Sequence, residues 1–230
     1  MDLLTLSFFG VFQATLGSKP LENFRSAKVQ GLLIYLSLTP RRIHARDVLA
    51  TLFWPDEPET AAKLNLRQSL FRLRTVLGDG DSDNDRRLLV TRTTVQFNPA
   101  SHYSLDVADF SAALAEGALE TAVSLYRGEL LTGFSCDSLP FDDWLRQTRE
   151  QYHRQALEAL NQLTAGSLSQ ANFHAARQFA QQQLVLEPWR EEAHRQLMQA
   201  LASLGERTAA LAQYETCRAT LAEELGVDPS

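Results

Sequence analysis

Residues 65–78 read NLRQSLFRLRTVLG, and this stretch decides how the rest of the chain is to be folded. Leu66, Leu70, Leu73 and Leu77 recur at i, i+4, i+7 and i+11, which keeps them within about 40° of one another on a helix. Such a row requires a core to face. Thr60 is a residue type able to cap the N-terminus, and a helix over 60–77 is roughly 27 Å long at 1.5 Å per residue. Lys63, Arg67 and Arg74 fall on one flank of the leucine row, and Asn65, Gln68 and Arg72 fall on the far or opposite flank. Leu64 and Phe71 also point away from it, so a second element is expected to cover them. No acid occurs between 60 and 77. An ordinary amphipathic helix with a solvated basic edge is the plain account; a helix that lies in the groove of DNA is the sharper one.

The neighbours supply the core. Upstream, SAKVQGLLIYLSLTP places Ser26 as an N-cap, Val29, Leu32, Leu33 and Leu36 at helical spacing and Pro40 as a stop. RDVLATLFWP follows as a short helix ended by Pro55. Before both, LTLSFFG and VFQATLG carry β-branched and aromatic residues punctuated by Gly10 and Gly17, which predicts a small antiparallel sheet. Downstream, GDGDSDNDRR at 78–87 reads as a solvated, mobile connector. LLVTRTTVQFNP then alternates well enough for a hairpin turning near Arg92 to Thr94. Three helices and a β-wing in this order make a winged helix-turn-helix over residues 1–100.

From about residue 105 the pattern is helical only. Ala175-Ala176 and Ala209-Ala210 lie 34 residues apart, each pair a few residues after a turn, with Leu197 and Leu201 on the intervening helix. Pro188 falls at a turn. A helical hairpin period of about 34 residues is that of tetratricopeptide repeats, in which small residues let paired helices approach and stacking buries a continuous core. The expected fold is therefore mainly α: a winged helix with a small sheet, then tetratricopeptide-like repeats over 105–230.

Bulk properties narrow the function. The 230 residues are 44% hydrophobic and 22% charged, as in a globular chain of one large or two modest domains. No apolar run approaches the length of a membrane span, and MDLLTLSFFG lacks a basic signal-type start, so a cytoplasmic location is expected. Cys136 and Cys217 are far apart and read as free thiols; the five histidines form no metal-ligand spacing. The net charge of −6 is uneven: residues 1–100 carry 13 Lys+Arg against 10 Asp+Glu, and residues 101–230 carry 9 against 18. The halves are thus expected to meet different partners.

The order FRSAKVQGLLIYLSL, ARDVLATLFWPDEP, AKLNLRQSLFRLRTVLG and LLVTR, then YRGELL, ALEALNQL and AEELGVDP, resembles the Streptomyces antibiotic regulatory protein family over essentially the whole chain. The resemblance implies a response-regulator-type winged helix followed by a bacterial transcriptional activation domain. It implies an activator that binds DNA, often at head-to-tail direct repeats, and contacts RNA polymerase, with 60–77 as recognition helix and 88–98 as wing. Two departures stand out. The family wing turns through a glycine-containing stretch, whereas this one has Thr93-Thr94-Val95, and the sequence stops at AEELGVDPS where relatives continue into one more helix. The second points to a piece of a longer regulator carrying an ATPase or sensor region.

Phosphate neutralisation falls to Lys63, Arg67, Arg74, Arg86, Arg87 and Arg92. Base reading falls to Asn65, Gln68 and Arg72, because amides and guanidinium forks match base edges. Arg41, Arg42 and Arg46 are placed near the DNA backbone. Arg74 has the alternative of pairing with an acid of the helical half. Tyr126, Trp144, Trp189 and Tyr214 read as core rather than as ligand-stacking rings, and Asp142-Asp143 as helix-terminal acids rather than a catalytic pair. No GxSxG, GxxxxGK[ST], GxGxxG or HExxH occurs, so no enzyme and no cofactor is expected. The helical half is assigned to homodimerisation or polymerase contact. The competing reading is a tetratricopeptide-like interaction scaffold without DNA binding.

Overall fold

A computed structural model describes residues 2–79 and 86–229. The first part of the chain runs β1 (Leu4–Ser7), β2 (Gln13–Leu16), β3 (Lys19–Pro20), α1 (Ala27–Leu38), β4 (His44–Ala45), α2 (Arg46–Phe53), α3 (Glu59–Leu77), β5 (Leu88–Val90), β6 (Thr94–Phe97) and β7 (Tyr103–Leu105). Helices α4 (Asp106–Ala115), α5 (Leu119–Leu125), α6 (Leu139–Ser169), α7 (Phe173–Leu186), α8 (Glu191–Ser203) and α9 (Arg207–Glu224) follow. Mainly α with small N-terminal sheets and then helical repeats, this is the fold class read from sequence. Most of the connector expected at 78–87 lies outside the described residues.

Two compact units divide the chain, Met1–Ala112 with Leu125–Gln151 and Ala113–Ser124 with Tyr152–Ser230. In the first, β1 buries Leu4 and Leu6 and turns Thr5 and Ser7 partly outward, the period-two pattern of a half-covered strand. It pairs antiparallel with β2 and parallel with β7, giving the order β3-β2-β1-β7. The strand at Tyr103–Leu105, just before the helical half, is not marked in the sequence. Its three residues are too few to register a periodicity against the helical pattern that starts at Asp106. That aspartate joins the sheet to α4: its carboxylate accepts the backbone N–H groups of Phe8, Phe9 and Val107 at 2.8–3.0 Å.

Helix α1 is apolar all round and buried from Gly31 to Ser37, the central rod of this unit. Ser26 caps it as expected, accepting from the Val29 N–H. Helices α2 and α3 pack together and α3 packs on α1, so the leucine row has its core: Leu66, Leu70, Leu73 and Leu77 are each at most 3% exposed. Tyr35 of α1 stacks edge-on with Trp144, and Phe53 of α2 meets Phe141, at centroid distances of 4.7 and 5.1 Å. These rings belong to the first turns of α6 and explain why residues as late as 151 complete the unit.

Helix α5 ends at Leu125, short of the RGELL that follows. Beyond it Gly128, Leu131, Gly133 and Asp137 all take positive φ, which no helix accommodates. Leu130 instead bridges Phe9, and the Leu131 and Thr132 N–H groups bond to Phe8 and Gly10 carbonyls. Arg149 of α6 holds this loop by donating to the carbonyl oxygens of Leu130, Leu131 and Phe134.

In the second unit α7 packs on α8 and α8 on α9. The starts of α7 and α9, Phe173 and Arg207, are separated by the 34 residues of the sequence period. Ala176, Ala180, Ala193 and Ala200 are fully buried, which is what close helix approach requires of small residues. Ala180, Leu197 and Leu201 form a cluster that Leu184, Ala209 and Ala210 flank. A polar chain also crosses these helices: the Nε2 of buried Gln183 donates to Thr164 and to Gln196, which donates to Asn161. Among the described residues no helix is long and apolar enough to cross a membrane.

Candidate nucleic-acid interface

Helix α3 begins one residue before the expected Thr60, at Glu59 behind Pro58, and Thr60 makes no cap. Proline fixes the φ of the residue before the first turn and removes a donor that the turn could not use. The other end is closed by Gly78 in the left-handed conformation, φ 67°, with its N–H and that of Asp79 bonding back to the last turn. The Asp79 carboxylate then accepts the N–H groups of Arg87 and Leu88 at 2.8 and 3.0 Å, so the end of α3 is tied to the start of the wing.

The wing is the three-stranded sheet β4-β6-β5, with Val90 opposite Val95 and His44 opposite Val95 on the other side. Its tip needs no glycine. The Thr91 side-chain oxygen accepts from the Thr93 and Thr94 N–H groups at 3.2 and 2.9 Å, and the Thr91 N–H donates to the Thr94 carbonyl. A hydroxyl thus closes this turn.

Of the residues singled out in the sequence, Arg67, Gln68 and Arg72 are exposed on the face of α3 away from the leucine row, and Asn65 is half-buried at its edge. Arg46, Lys63, Arg67, Arg92 and Thr93 line one cleft of about 590 Å³ beside Leu64. Arg46 leans on the wing, its backbone N–H bonded to the Thr93 carbonyl and its guanidinium to that of Thr91. Arg92 stands exposed at the tip, and Arg41 and Arg42 are exposed on the turn after α1. The structure therefore brings Arg46, Lys63, Arg67 and Arg92 together, with Gln68 and Arg72 further round the same helix.

Three positions differ from expectation. Arg87 is 3% exposed and faces inward. Its guanidinium donates to the carbonyl oxygens of Leu77 and Asp2 at 2.8 and 2.7 Å, satisfying the C-terminal end of α3 instead of reaching outward. Its neighbour Arg86 is half-buried, and the Asn98 side chain bonds to its carbonyl. Lys63 is exposed but already answered by carboxylates, Glu59 one turn back and Asp47 of α2 at 3.2 Å. These two contacts raise its pKa and hold it charged. The acid-free run seen in sequence stops at residue 60, and folding brings Asp47 in from outside it. Arg74 lies half-buried; burial pushes the nearby Asp79 carboxyl up, against the Arg87 and Leu88 N–H groups it accepts and the charges of Arg87 and, least, Arg74.

Leu64 and Phe71 are not covered as expected: they are 53% and 72% exposed. Arg25 was not singled out at all. It sits exposed ahead of α1 with φ 63° and shares a depression with Phe71 and Arg72. Its only sequence signal is a positive charge just before the Ser26 cap. Of the four aromatic residues read as core, Tyr126 and Trp144 pack among other rings, but Trp189 and Tyr214 are 40% and 44% exposed. Asp142, in the first turn of α6, accepts from Ser135 and Cys136, a terminal role as expected. Cys136 and Cys217 are buried free thiols, and burial pushes the Cys136 thiol up to about 12.

Comparison with known proteins gives a consistent picture. Residues 102–230 match the family model described as bacterial transcriptional activator domain. No curated protein matches. Among solved structures, Mycobacterium tuberculosis EmbR in complex with a low-affinity phosphopeptide is similar, at 22% identity and a TM-score of 0.70, over 100% of this chain and 62% of that one. The chain thus spans less than two thirds of that protein, and the likeness is one of fold.

Proposed function

Because the chain belongs to the bacterial transcriptional activator domain family, and with it to the Streptomyces antibiotic regulatory proteins, we propose that it is a sequence-specific DNA-binding transcriptional regulator. Helix α3 lies in the major groove, and the wing rests on the flanking backbone. Asn65, Gln68 and Arg72 face base edges, Arg46, Arg67 and Arg92 face phosphates, and Arg41 and Arg42 approach the backbone from the turn after α1. Lys63, Arg74 and Arg86 contribute long-range charge. Arg87 is left out, because its guanidinium already holds two backbone carbonyls. Residues 1–100 act as the DNA-binding domain and 105–230 as the activation domain.

One observation carries the reading: Arg46, Arg67 and Arg92, from three separate elements, line a single cleft beside α3, which no helix-stabilising role demands. Each phosphate neutralised steepens the salt dependence of binding by about 0.9 in log–log slope. Selection of bound sequences from a random duplex pool, followed by anisotropy titration at several salt concentrations, tests this. We expect Arg92→Ala to flatten the slope by about one phosphate with folding intact, and Arg72→Ala to relax sequence preference. Parent-like binding by both Arg67→Ala and Arg72→Ala would refute the assignment of α3.

The acidic half is proposed to meet protein, either a second copy or RNA polymerase. Exposed Val185, Leu211 and Tyr214 on its helices support this. A cytoplasmic setting and a longer parent chain with an ATPase or sensor region belong to the same proposal.

A further inference from the structure

Helix α3 carries six large apolar side chains besides its valine: four are buried in the leucine row, and Leu64 and Phe71 point the other way. They lie seven positions apart, hence on one stripe about 10 Å long at 1.5 Å per residue. A phenyl ring left 72% exposed at the centre of a surface helix gains nothing from water. Its surroundings state what would cover it. Arg67 and Gln68 lie between the two residues along the helix, and Arg72 follows Phe71. Leu64 opens on the cleft that Arg46, Arg67 and Arg92 line, and Phe71 on the depression that Arg25 and Arg72 line. The acids nearby are Asp47, engaged with Lys63, and Glu22. An apolar stripe edged by arginines complements a surface that is anionic at its rims and has apolar groups in its floor.

We infer that Phe71 and Leu64 are specificity-determining contacts that read thymine 5-methyl groups in the major groove. The inference rests on the DNA-binding reading above and adds to it the base that these side chains select. In the major groove the thymine methyl is the one apolar group presented by the base pairs, and apolar side chains distinguish it. Two stripes of methyls no more than about three base-pair steps apart would meet the two side chains, given a rise of 3.4 Å per step. Gln68, lying between them in sequence, suits the adenine of an intervening pair, since an amide matches adenine edges.

The test uses the full chain and the highest-affinity duplex from the random pool. Each thymine of that duplex is replaced in turn by deoxyuridine, which removes one methyl and keeps every hydrogen bond. For the parent we expect roughly a fourfold loss of affinity at each contacted thymine, the value of one buried methyl-sized group. Phe71→Ala should still bind the duplex, with the loss at one thymine abolished and that at the other retained; Leu64→Ala should do the converse. Leu64 and Phe71 lie outside the core, so circular dichroism of both variants should match the parent. A parent that binds the duplex but tolerates deoxyuridine everywhere overturns this inference and leaves the DNA-binding reading standing. So does a Phe71→Ala variant whose deoxyuridine profile is unchanged, which would assign the ring to a protein partner. Failure of the parent to bind any duplex overturns both.

Discussion

Arg86 and Arg87 are adjacent and chemically identical, yet only one of them is buried with its guanidinium spent on backbone carbonyls. What sets Arg87 apart is its reach: just before β5, its guanidinium finds the Leu77 and Asp2 carbonyls. Sequence carries no mark of this, since charge counts alike wherever it sits. The contrast is testable. We expect Arg87→Ala to destabilise the fold by about 2–3 kcal/mol, because the α3 carbonyl and the Asp2 carbonyl lose charge-assisted partners, measured by chemical denaturation. Arg92→Ala should leave the same curve where it was. Asp106 is the complementary case, a buried carboxylate that accepts three backbone N–H groups. In Asp106→Asn the amide nitrogen replaces one acceptor and leaves a buried N–H of Phe8 or Phe9 unmet, at a cost of about 1–3 kcal/mol. Leu64 and Phe71 illustrate the same limit from the other side. Helical phase placed them away from the leucine row correctly, but whether anything covers an outward residue depends on neighbours far away in sequence.

At the scale of elements the sequence was far more informative, and for a physical reason. Helices α1, α2 and α3 and the hairpin of β5 and β6 are each long enough to complete their own period, so their apolar faces were legible residue by residue. Elements too short to repeat their period were not: β3, β4 and β7 have two, two and three residues, and only pairing with a partner strand defines them. The wing shows what such a short element contributes. His44 of β4 is buried, and its Nε2–H donates to the Thr39 hydroxyl, which itself donates to the Tyr35 carbonyl. Burial, and then the charge of Arg42, lower the His44 pKa below its ordinary 6.5. A histidine whose folded pKa is depressed stays neutral in the fold and costs stability when protonated. Stability should therefore be complete above pH 6.5 and fall as the pH drops below it, with His44→Gln flattening that part of the profile in thermal unfolding. At the C-terminal end of α3, Gly78→Ala should cost about 1–2 kcal/mol, the penalty of a Cβ in the left-handed conformation, and should loosen the attachment of α3 to the wing.

At the scale of the whole chain, the 34-residue period and the order of segments identified both the repeat architecture and the family. What they did not disclose is that compactness and chain order disagree: residues 125–151 belong with the sheet and the three helices of the N-terminal unit, across an excursion at 113–124. Glycines and left-handed residues between 128 and 137 make that return, and no periodicity announces it. A fragment ending at 112 should accordingly unfold at lower denaturant than one ending at 151, because it lacks Leu130 opposite Phe9 and the rings of Phe141 and Trp144. The interleaving also has a consequence for biogenesis. On the ribosome the N-terminal unit remains unfinished until Gln151 has emerged, 39 residues after Ala112, or roughly two to eight seconds at ordinary elongation rates. A nascent chain of this design completes its N-terminal unit only once the activator-domain region is already being translated, so premature termination between Ala112 and Gln151 leaves that unit unfinished.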